Sequence, residues 1–168
     1  MVVFHGSNLE IENINLTKCN KYKDFGKGFY VTTIEEQAER MARRTVKRFG
    51  GVPTVTIFEF NEKNLGSLKY KEFIEVDNDW AMFIINNRDK DFKNITSELS
   101  NYDNKYDIVF GAVANDDIAT TFALYKDGFL SSEILKERLK YKKLSNQYSF
   151  HTEEAIKLLK KVGVKKYE

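Results

Sequence analysis

The sequence predicts a single α+β domain, and three observations support that class. The chain has 168 residues, which suits one compact domain with a core of its own. Hydrophobic residues make up 42% of the chain and aromatic residues 14%, as is typical of a folded globule. Strand-like and helix-like segments are interspersed without the regular β-α-β order of a parallel sheet. We therefore expect one α+β domain over residues 1–168.

Five short runs have the pattern of strands. The clearest is Thr54–Phe60, which alternates with period two and is rich in β-branched and aromatic residues. The other four are residues 2–5, 28–32, 106–110 and 147–150. Because these runs lie far apart in the sequence, the core must form by long-range pairing.

Helical patterns separate the strands. Thr33 and Glu36 form a capping box, in which both side chains bond free amides at the start of a helix running from Ile34 to about Phe49. Gly50 is expected to end that helix. Further helices are predicted over residues 79–87, Asp116–Lys126 and 132–142.

The last predicted helix lies at the C-terminus. Thr152 is a suitable N-cap, and the helix should run from Glu153 to about Val162. Its apolar stripe consists of Ala155, Leu158, Leu159 and Val162. Gly163 is expected to close it.

Composition narrows the functional classes. The chain has 27 Lys and Arg against 25 Asp and Glu, a net charge of +2, whereas dedicated nucleic-acid binders usually have a stronger basic excess. The single cysteine, Cys19, excludes an internal disulfide and a cysteine-based zinc site. No signal peptide is visible, and no apolar run approaches the roughly 20 residues that span a bilayer. We expect a soluble, cytoplasmic protein that binds no membrane.

Three short motifs have the chemistry to hold a dinucleotide. They are Phe4-His5-Gly6-Ser7, Gly26-Lys27-Gly28-Phe29-Tyr30 and Asn146-Gln147-Tyr148. Glycines let backbone amides approach a ligand, and a tyrosine ring can stack on a flat cationic ring. Histidine and glutamine can hydrogen-bond ribose hydroxyls. Each motif alone is also compatible with a structural role, since a strand-end histidine is commonly a satisfied structural residue.

Together the motifs resemble the His–Tyr–Glu signature of the diphtheria-toxin and poly(ADP-ribose) polymerase branch of ADP-ribosyltransferases. The whole chain also resembles an uncharacterised bacterial family of that superfamily, through Tyr106-Asp107-Ile108-Val109-Phe110-Gly111 and Ala114-Asn115-Asp116-Asp117. The resemblance implies a split β-sandwich of two small sheets flanked by helices, with a nucleotide cleft between the sheets.

The resemblance further implies NAD⁺-dependent mono-ADP-ribosyl transfer to a protein or nucleic-acid acceptor, with release of nicotinamide. His5 is then expected to hold the adenine-side ribose, the Gly6 backbone the carboxamide, and the Tyr30 ring the nicotinamide. Gln147 occupies the place of the glutamate that contacts the nicotinamide-side ribose. The other residues implied at the NAD⁺ site are Ser7, Gly28, Phe29, Met41 and Arg44. A toxin or toxin–antitoxin effector with a small neutralising partner protein is one biological role that fits.

Three positions depart from the family pattern. Ala38 stands where a hydroxyl-bearing residue is usual, and Met41 stands where a second stacking tyrosine is usual. Gln147 replaces the glutamate, and losing such an electrostatic stabiliser commonly costs on the order of 10²–10³ in rate. These departures predict slow or substrate-restricted mono-transfer.

Two other functional hypotheses remain open from the sequence. A catalytically weak or inactive NAD⁺- or ADP-ribose-binding module would act through a protein partner. A ribonuclease would use His5 and His151, the only two histidines, as acid and base. Asn115-Asp116-Asp117 is either a helix cap or a substrate-facing loop, and it lacks the ligand set that a metal site needs.

The basic residues of the first helix also have two interpretations. Arg43 and Arg44 either form part of a solvated face paired with neighbouring glutamates or reach the pyrophosphate of NAD⁺.

Overall fold

The computed structural model describes residues 1–114, 116–140 and 145–168. The described strands are β1 (Val2–Ser7), β2 (Phe29–Val31), β3 (Thr54–Phe60), β4 (Tyr70–Glu72), β5 (Ile108–Ala112), β6 (Asn146–Phe150) and β7 (Leu159–Lys166). The described α-helices are α1 (Glu35–Phe49), α2 (Asn78–Arg88), α3 (Asp116–Lys126), α4 (Ser132–Lys140) and α5 (Glu153–Ile156). Short 3₁₀ turns lie at Leu16–Lys18 and Glu62–Asn64.

The strands form two small sheets. One has the order β1-β3-β7 and is antiparallel throughout. The other has the order β2-β6-β5-β4, and only its β4–β5 pair is parallel. The α+β class predicted from the sequence is therefore confirmed.

The two sheets meet where β1 passes β2. Phe4 and Thr32 form an isolated antiparallel bridge, with N···O distances of 2.8 and 2.9 Å between their backbones. Helix α1 packs across β1 so closely that a Cβ on Gly6 would lie 1.8 Å from the Ala38 carbonyl oxygen. This packing requires glycine at position 6, and the Phe4–Thr32 bridge places His5 beside Tyr30.

Strand β6 separates two apolar cores. Its Tyr148 and Phe150 belong to a core that includes Val3, Phe29 and Phe58 of the neighbouring strands. Alternation along the strand turns Gln147 and Ser149 toward the opposite face. The core on that face is built from Phe25, Phe73, Trp80, Ala81, Phe83, Ile84, Val109, Ala114, Ile118, Phe122 and Leu135.

The predicted capping box at Thr33 is wrong. Helix α1 begins at Glu35, with Ile34 at the N-cap and no side-chain cap bond. The Thr33 hydroxyl instead accepts a hydrogen bond of 2.7 Å from Asn146 Nδ2. Asn146 is the first residue of β6, and that strand begins next to Thr33. The predicted end of the helix at Gly50 is confirmed.

The predicted C-terminal helix is largely wrong. Thr152 does cap a helix, accepting from the Ala155 amide at 3.3 Å, but that helix ends at Ile156. The chain from Leu159 onward forms β7 and pairs antiparallel with β3. The edge of β3 supplies backbone partners that favour a strand here, and Val162 and Gly163 are weak helix formers.

The remaining elements follow the predictions more closely. Helix α3 has the predicted bounds, and α2 starts slightly earlier than predicted, with Asp77 as its N-cap. Strand β4 was not predicted, and the end of the predicted helix over residues 132–142 lies outside the described residues. In the part of the chain that the structure describes, no helix is long and apolar enough to cross a bilayer.

Candidate functional site

His5 offers one open ring nitrogen at the junction of the sheets. Its Nδ1 lies 2.7 Å from the Tyr30 carbonyl oxygen, which can only accept, so Nδ1 carries the proton. Burial lowers the pKa of His5, which keeps the ring neutral and leaves Nε2 as an acceptor. Among the described residues Nε2 has no partner, and it is not sealed inside, because the only buried side-chain atom without a partner is Asn78 Oδ1.

Both the hydroxyl and the ring of Tyr30 are held by neighbouring residues. Its hydroxyl donates to the Gly26 carbonyl at 2.6 Å and accepts from the Phe25 amide at 3.0 Å. Its ring stacks on Phe25 with centroids 6.4 Å apart. Burial, and then the nearby charge of Asp24, raise the pKa of Tyr30 well above its ordinary value. Tyr30 therefore stays a neutral phenol, which suits an aromatic surface and not a general base.

Gln147 is tied into a buried polar cluster. It stands opposite Gly111 in the β5–β6 pair and is only 8% exposed. Its Nε2 donates to Asp24 Oδ2 at 2.8 Å and to the Ala112 carbonyl at 3.4 Å. The side chain predicted to contact ribose is thus fixed by its amide nitrogen.

Asp24 and Arg88 complete this cluster, and sequence reasoning missed both. Asp24 Oδ1 accepts from Arg88 Nε at 2.8 Å and from Nη2 at 2.5 Å, while Oδ2 accepts from the Ala114 amide at 3.1 Å. The only sequence signal was an acid two residues before the glycine-rich motif. Nothing local indicates its burial, because its partners lie 64 to 123 residues away.

Two of the implied cofactor-binding residues have structural explanations. A Cβ on Gly28 would lie 2.7 Å from both His151 Nδ1 and the Phe150 carbonyl oxygen, so packing alone requires glycine there. Phe29 is buried, with its ring stacked on His5 at 4.3 Å and edge-on to Phe58. The Phe29 ring therefore has a packing role, and the Phe29 backbone lies in the β2–β6 pair.

The other implied residues lie at the surface or near it. Met41 and Arg44 are exposed on α1, where Ala38 and Ala42 form the buried face. Ser7 Oγ donates to Asn8 Oδ1 at 3.4 Å. Arg43 pairs with Glu39 across one helical turn and also reaches the Glu168 carbonyl, which matches the solvated-face interpretation.

His151 has no open nitrogen. Its Nδ1 donates to the Lys27 carbonyl at 2.8 Å, and its Nε2 accepts from the Ser149 hydroxyl at 2.7 Å. Burial lowers the pKa of His151 to about 4. A buried, neutral and fully bonded imidazole is poorly placed to exchange protons with a substrate, which weighs against the ribonuclease hypothesis.

One cavity lies away from the predicted site residues. It has a volume of about 240 Å³, lies between α2 and α3, and is lined by Ile85, Arg88, Asp89, Phe122, Ala123 and Lys126. It contains none of the predicted site residues, although Arg88 extends from it to Asp24. Within the described ranges, no group of three or more His, Cys, Asp or Glu side chains is arranged to hold a metal ion.

Comparison with known proteins places the chain in a family without assigning an activity. Neither the curated proteins nor the solved structures contain a match to it. A family model described as a protein of unknown function, DUF3990, matches residues 1–161 and so includes His5, Tyr30 and Gln147. Because that match covers nearly the whole chain, the protein belongs to the DUF3990 family.

Proposed function

We propose that the protein is an NAD⁺-dependent mono-ADP-ribosyltransferase that modifies a protein or nucleic acid and releases nicotinamide. One observation carries the proposal: strand β2, with Tyr30, lies between β1 and β6, and each neighbour contributes an acceptor without a partner among the described residues. These acceptors are His5 Nε2 and Gln147 Oε1.

NAD⁺ matches this arrangement chemically. It carries hydroxyl donors on two riboses, joined by a pyrophosphate, and ends in a flat cationic ring. In this proposal His5 Nε2 accepts from one ribose, Gln147 Oε1 accepts from the other, and the Tyr30 ring lies against nicotinamide. Exposed Arg44 on α1 is the cation available to the pyrophosphate.

The reaction exchanges one bond at the ribose. The bond between C1′ and the nicotinamide nitrogen breaks, and its electron pair stays on nicotinamide, which leaves as a neutral molecule. An acceptor oxygen, nitrogen or sulfur forms the new bond to C1′ and loses its proton to solvent. Positive charge develops on the sugar, and an amide at position 147 stabilises it less than a carboxylate does. Turnover should therefore be slow.

A binding module is the second candidate. It is favoured by the same amide at Gln147 and by the pairing of the nearest carboxylate, Asp24, with Arg88. Such a module would be stabilised by NAD⁺ according to RT ln(1 + [L]/Kd) without consuming it.

The first prediction concerns the Tyr30 ring. Purified protein is incubated with labelled NAD⁺ and a bacterial lysate, with and without nuclease treatment. We expect wild type to release nicotinamide and transfer label, and Tyr30→Leu to lose about 10²-fold because it lacks the aromatic face. Tyr30→Phe keeps that face and should retain activity to within about tenfold.

Tyr22→Ala is the matched control, because Tyr22 is an exposed tyrosine outside the candidate site. It should leave transfer unchanged. Nuclease sensitivity of the labelled product identifies a nucleic-acid acceptor. If folded wild type releases no nicotinamide, the transferase proposal is wrong, and NAD⁺-induced thermal stabilisation then distinguishes a binding module from a protein that ignores NAD⁺.

A further inference from the structure

The carboxylate of Asp24 has no hydrogen-bonding capacity left for a ligand. It accepts four hydrogen bonds, two from Arg88 and one each from the Ala114 amide and Gln147 Nε2. A carboxylate offers about four lone-pair directions, so all of them are in use. Asp24 is therefore hydrogen-bonded to the predicted site through Gln147.

The charge of Asp24 is also compensated locally. Arg88 lies against it in a pair that is mostly shielded from solvent, with the Asp24 side chain 9% exposed and that of Arg88 31% exposed. Arg88 Nη2 also donates to the Ala114 carbonyl at 3.0 Å, which holds the guanidinium in place. Removing one member of such a pair leaves an uncompensated charge behind.

This cluster determines which end of the Gln147 amide is available. Side-chain amides have two similar ends, and their orientation follows from the hydrogen-bond network. Here both neighbours of Nε2, the Asp24 carboxylate and the Ala112 carbonyl, can only accept. Nε2 therefore faces them with both hydrogens, and Oε1 is the end without a partner among the described residues.

We propose that Asp24 is a positioning residue that holds Gln147 with Oε1 presented as the acceptor for a hydroxyl of the nicotinamide-side ribose. This inference rests on the transferase function proposed above. Gln147 then supplies the acceptor geometry of a carboxylate oxygen without its charge.

The same geometry explains the amide at position 147. A carboxylate there would meet Asp24 at about the present 2.8 Å separation, with an oxygen facing an oxygen and no hydrogen between them. Two carboxylates this close cannot both be ionised without a large penalty. A glutamate at position 147 could therefore lie beside Asp24 only if the two carboxylates shared a proton, which would remove the charge that the glutamate brings.

A charge exchange tests the inference. Steady-state kcat and KM for NAD⁺ are measured for wild type, Asp24→Asn, Gln147→Glu and the double variant Asp24→Asn/Gln147→Glu. Gln147→Glu should lower kcat/KM at least about tenfold, because the new carboxylate faces Asp24. Asp24→Asn should raise KM about tenfold, because an amide at position 24 turns Gln147 around and presents its NH₂ group to the ribose.

The activity of the double variant decides whether positions 24 and 147 act as a pair. The amide at position 24 can donate to the carboxylate at position 147, so kcat should reach or exceed the wild-type value while each single variant is impaired. Asp89→Asn/Gln147→Glu is the matched control, because Asp89 neighbours Arg88 but pairs with Lys126. It should show no rescue. The inference is overturned if Gln147→Glu alone is as active as wild type or if the exchange rescues nothing.

A second cycle covers failure of the Gln147→Glu variants to fold. Gln147→Met keeps the side-chain length without the amide. Once Gln147 is replaced in this way, adding Asp24→Asn should change KM for NAD⁺ by less than about twofold, because Asp24 acts through the amide. Additive losses would show that Asp24 acts independently. Wild type that neither binds nor consumes NAD⁺ would remove the proposed function itself, whereas active wild type with uncoupled variants would remove only the role of Asp24.

Discussion

The two histidines of the chain occupy contrasting environments around the same strand. His5 donates from Nδ1 to the Tyr30 carbonyl, and its Nε2 has no partner within the described ranges. His151 lies edge-on to the Tyr30 ring and has both nitrogens bonded, to the Lys27 carbonyl and the Ser149 hydroxyl. Both rings are kept neutral, since burial lowers both pKa values.

The difference separates a structural histidine from one that can serve a ligand. A ring whose hydrogen bonds are all satisfied inside the protein contributes to stability and has nothing to offer a substrate. A ring with one bonded nitrogen is oriented by that bond and keeps the other for recognition. Replacing His151 should therefore affect folding, and replacing His5 should affect binding.

The largest expected effect follows from His151→Leu. The substitution leaves the Lys27 carbonyl and the Ser149 hydroxyl without their partner, although Ser149 retains a 3.3 Å contact with the Val109 carbonyl. We expect a loss of about 3 kcal/mol in the free energy of unfolding at pH 7.5, from unpaired buried polar groups and imperfect packing. Urea unfolding measures it. A loss below about 1 kcal/mol would mean that His151 is not the structural histidine.

A smaller effect is expected from pH. Unfolded chain protonates His151 near its ordinary pKa of 6.5, but folded protein does so only near a pKa of about 4. Between these values the unfolded state binds more protons, so stability is complete above pH 6.5 and falls as the pH is lowered toward 4. The change from pH 7.5 to 5.5 should be about 1 kcal/mol from His151 alone.

His5 contributes to the same loss with the same sign, because its pKa is also lowered. The urea series is therefore repeated with His151→Leu, whose free energy of unfolding should fall less steeply by the His151 share. An unchanged slope would contradict the buried, neutral state of His151. The pKa values of Glu10, Glu35 and Asp89 are lowered by their partners. These groups therefore reduce the stability only when the pH falls below the ordinary pKa values of carboxyl groups.

The smallest effect on folding is expected at His5. Asparagine keeps a donor near the position of Nδ1 and lacks Nε2, so His5→Asn should lose less than about 1 kcal/mol of stability but about tenfold in NAD⁺ affinity. His5→Gln keeps a polar atom near Nε2 and lacks the Nδ1 donor. It should therefore lose more stability than His5→Asn and less NAD⁺ affinity. Calorimetric titration with NAD⁺ and urea unfolding of both variants decide the matter. Equal losses of affinity in the two variants would remove the distinct role of Nε2.

Elements with a strong local pattern could be predicted from the sequence, and elements that depend on a distant partner could not. Strand β3 has alternation that no other structure satisfies as well, and it forms with the predicted bounds. The sequence up to Val162 has a helical stripe, but pairing with β3 makes the chain from Leu159 onward a strand. Thr33 had the chemistry of a cap, but Asn146, distant in sequence, takes its hydroxyl.

The candidate site divides along the same line. By itself the sequence determined the α+β class, because local patterns lie in neighbouring positions. Its three motifs predicted a site at His5, Tyr30 and Gln147 through their resemblance to a known family. Tertiary structure alone decided which histidine keeps an open nitrogen and which end of the Gln147 amide is available. Those outcomes depend on hydrogen bonds to Tyr30, Lys27 and Asp24, and the bonds from His151 and Gln147 span more than 120 residues. A polar side chain acquires its chemical role from the partners that folding brings to it, and no local pattern specifies them.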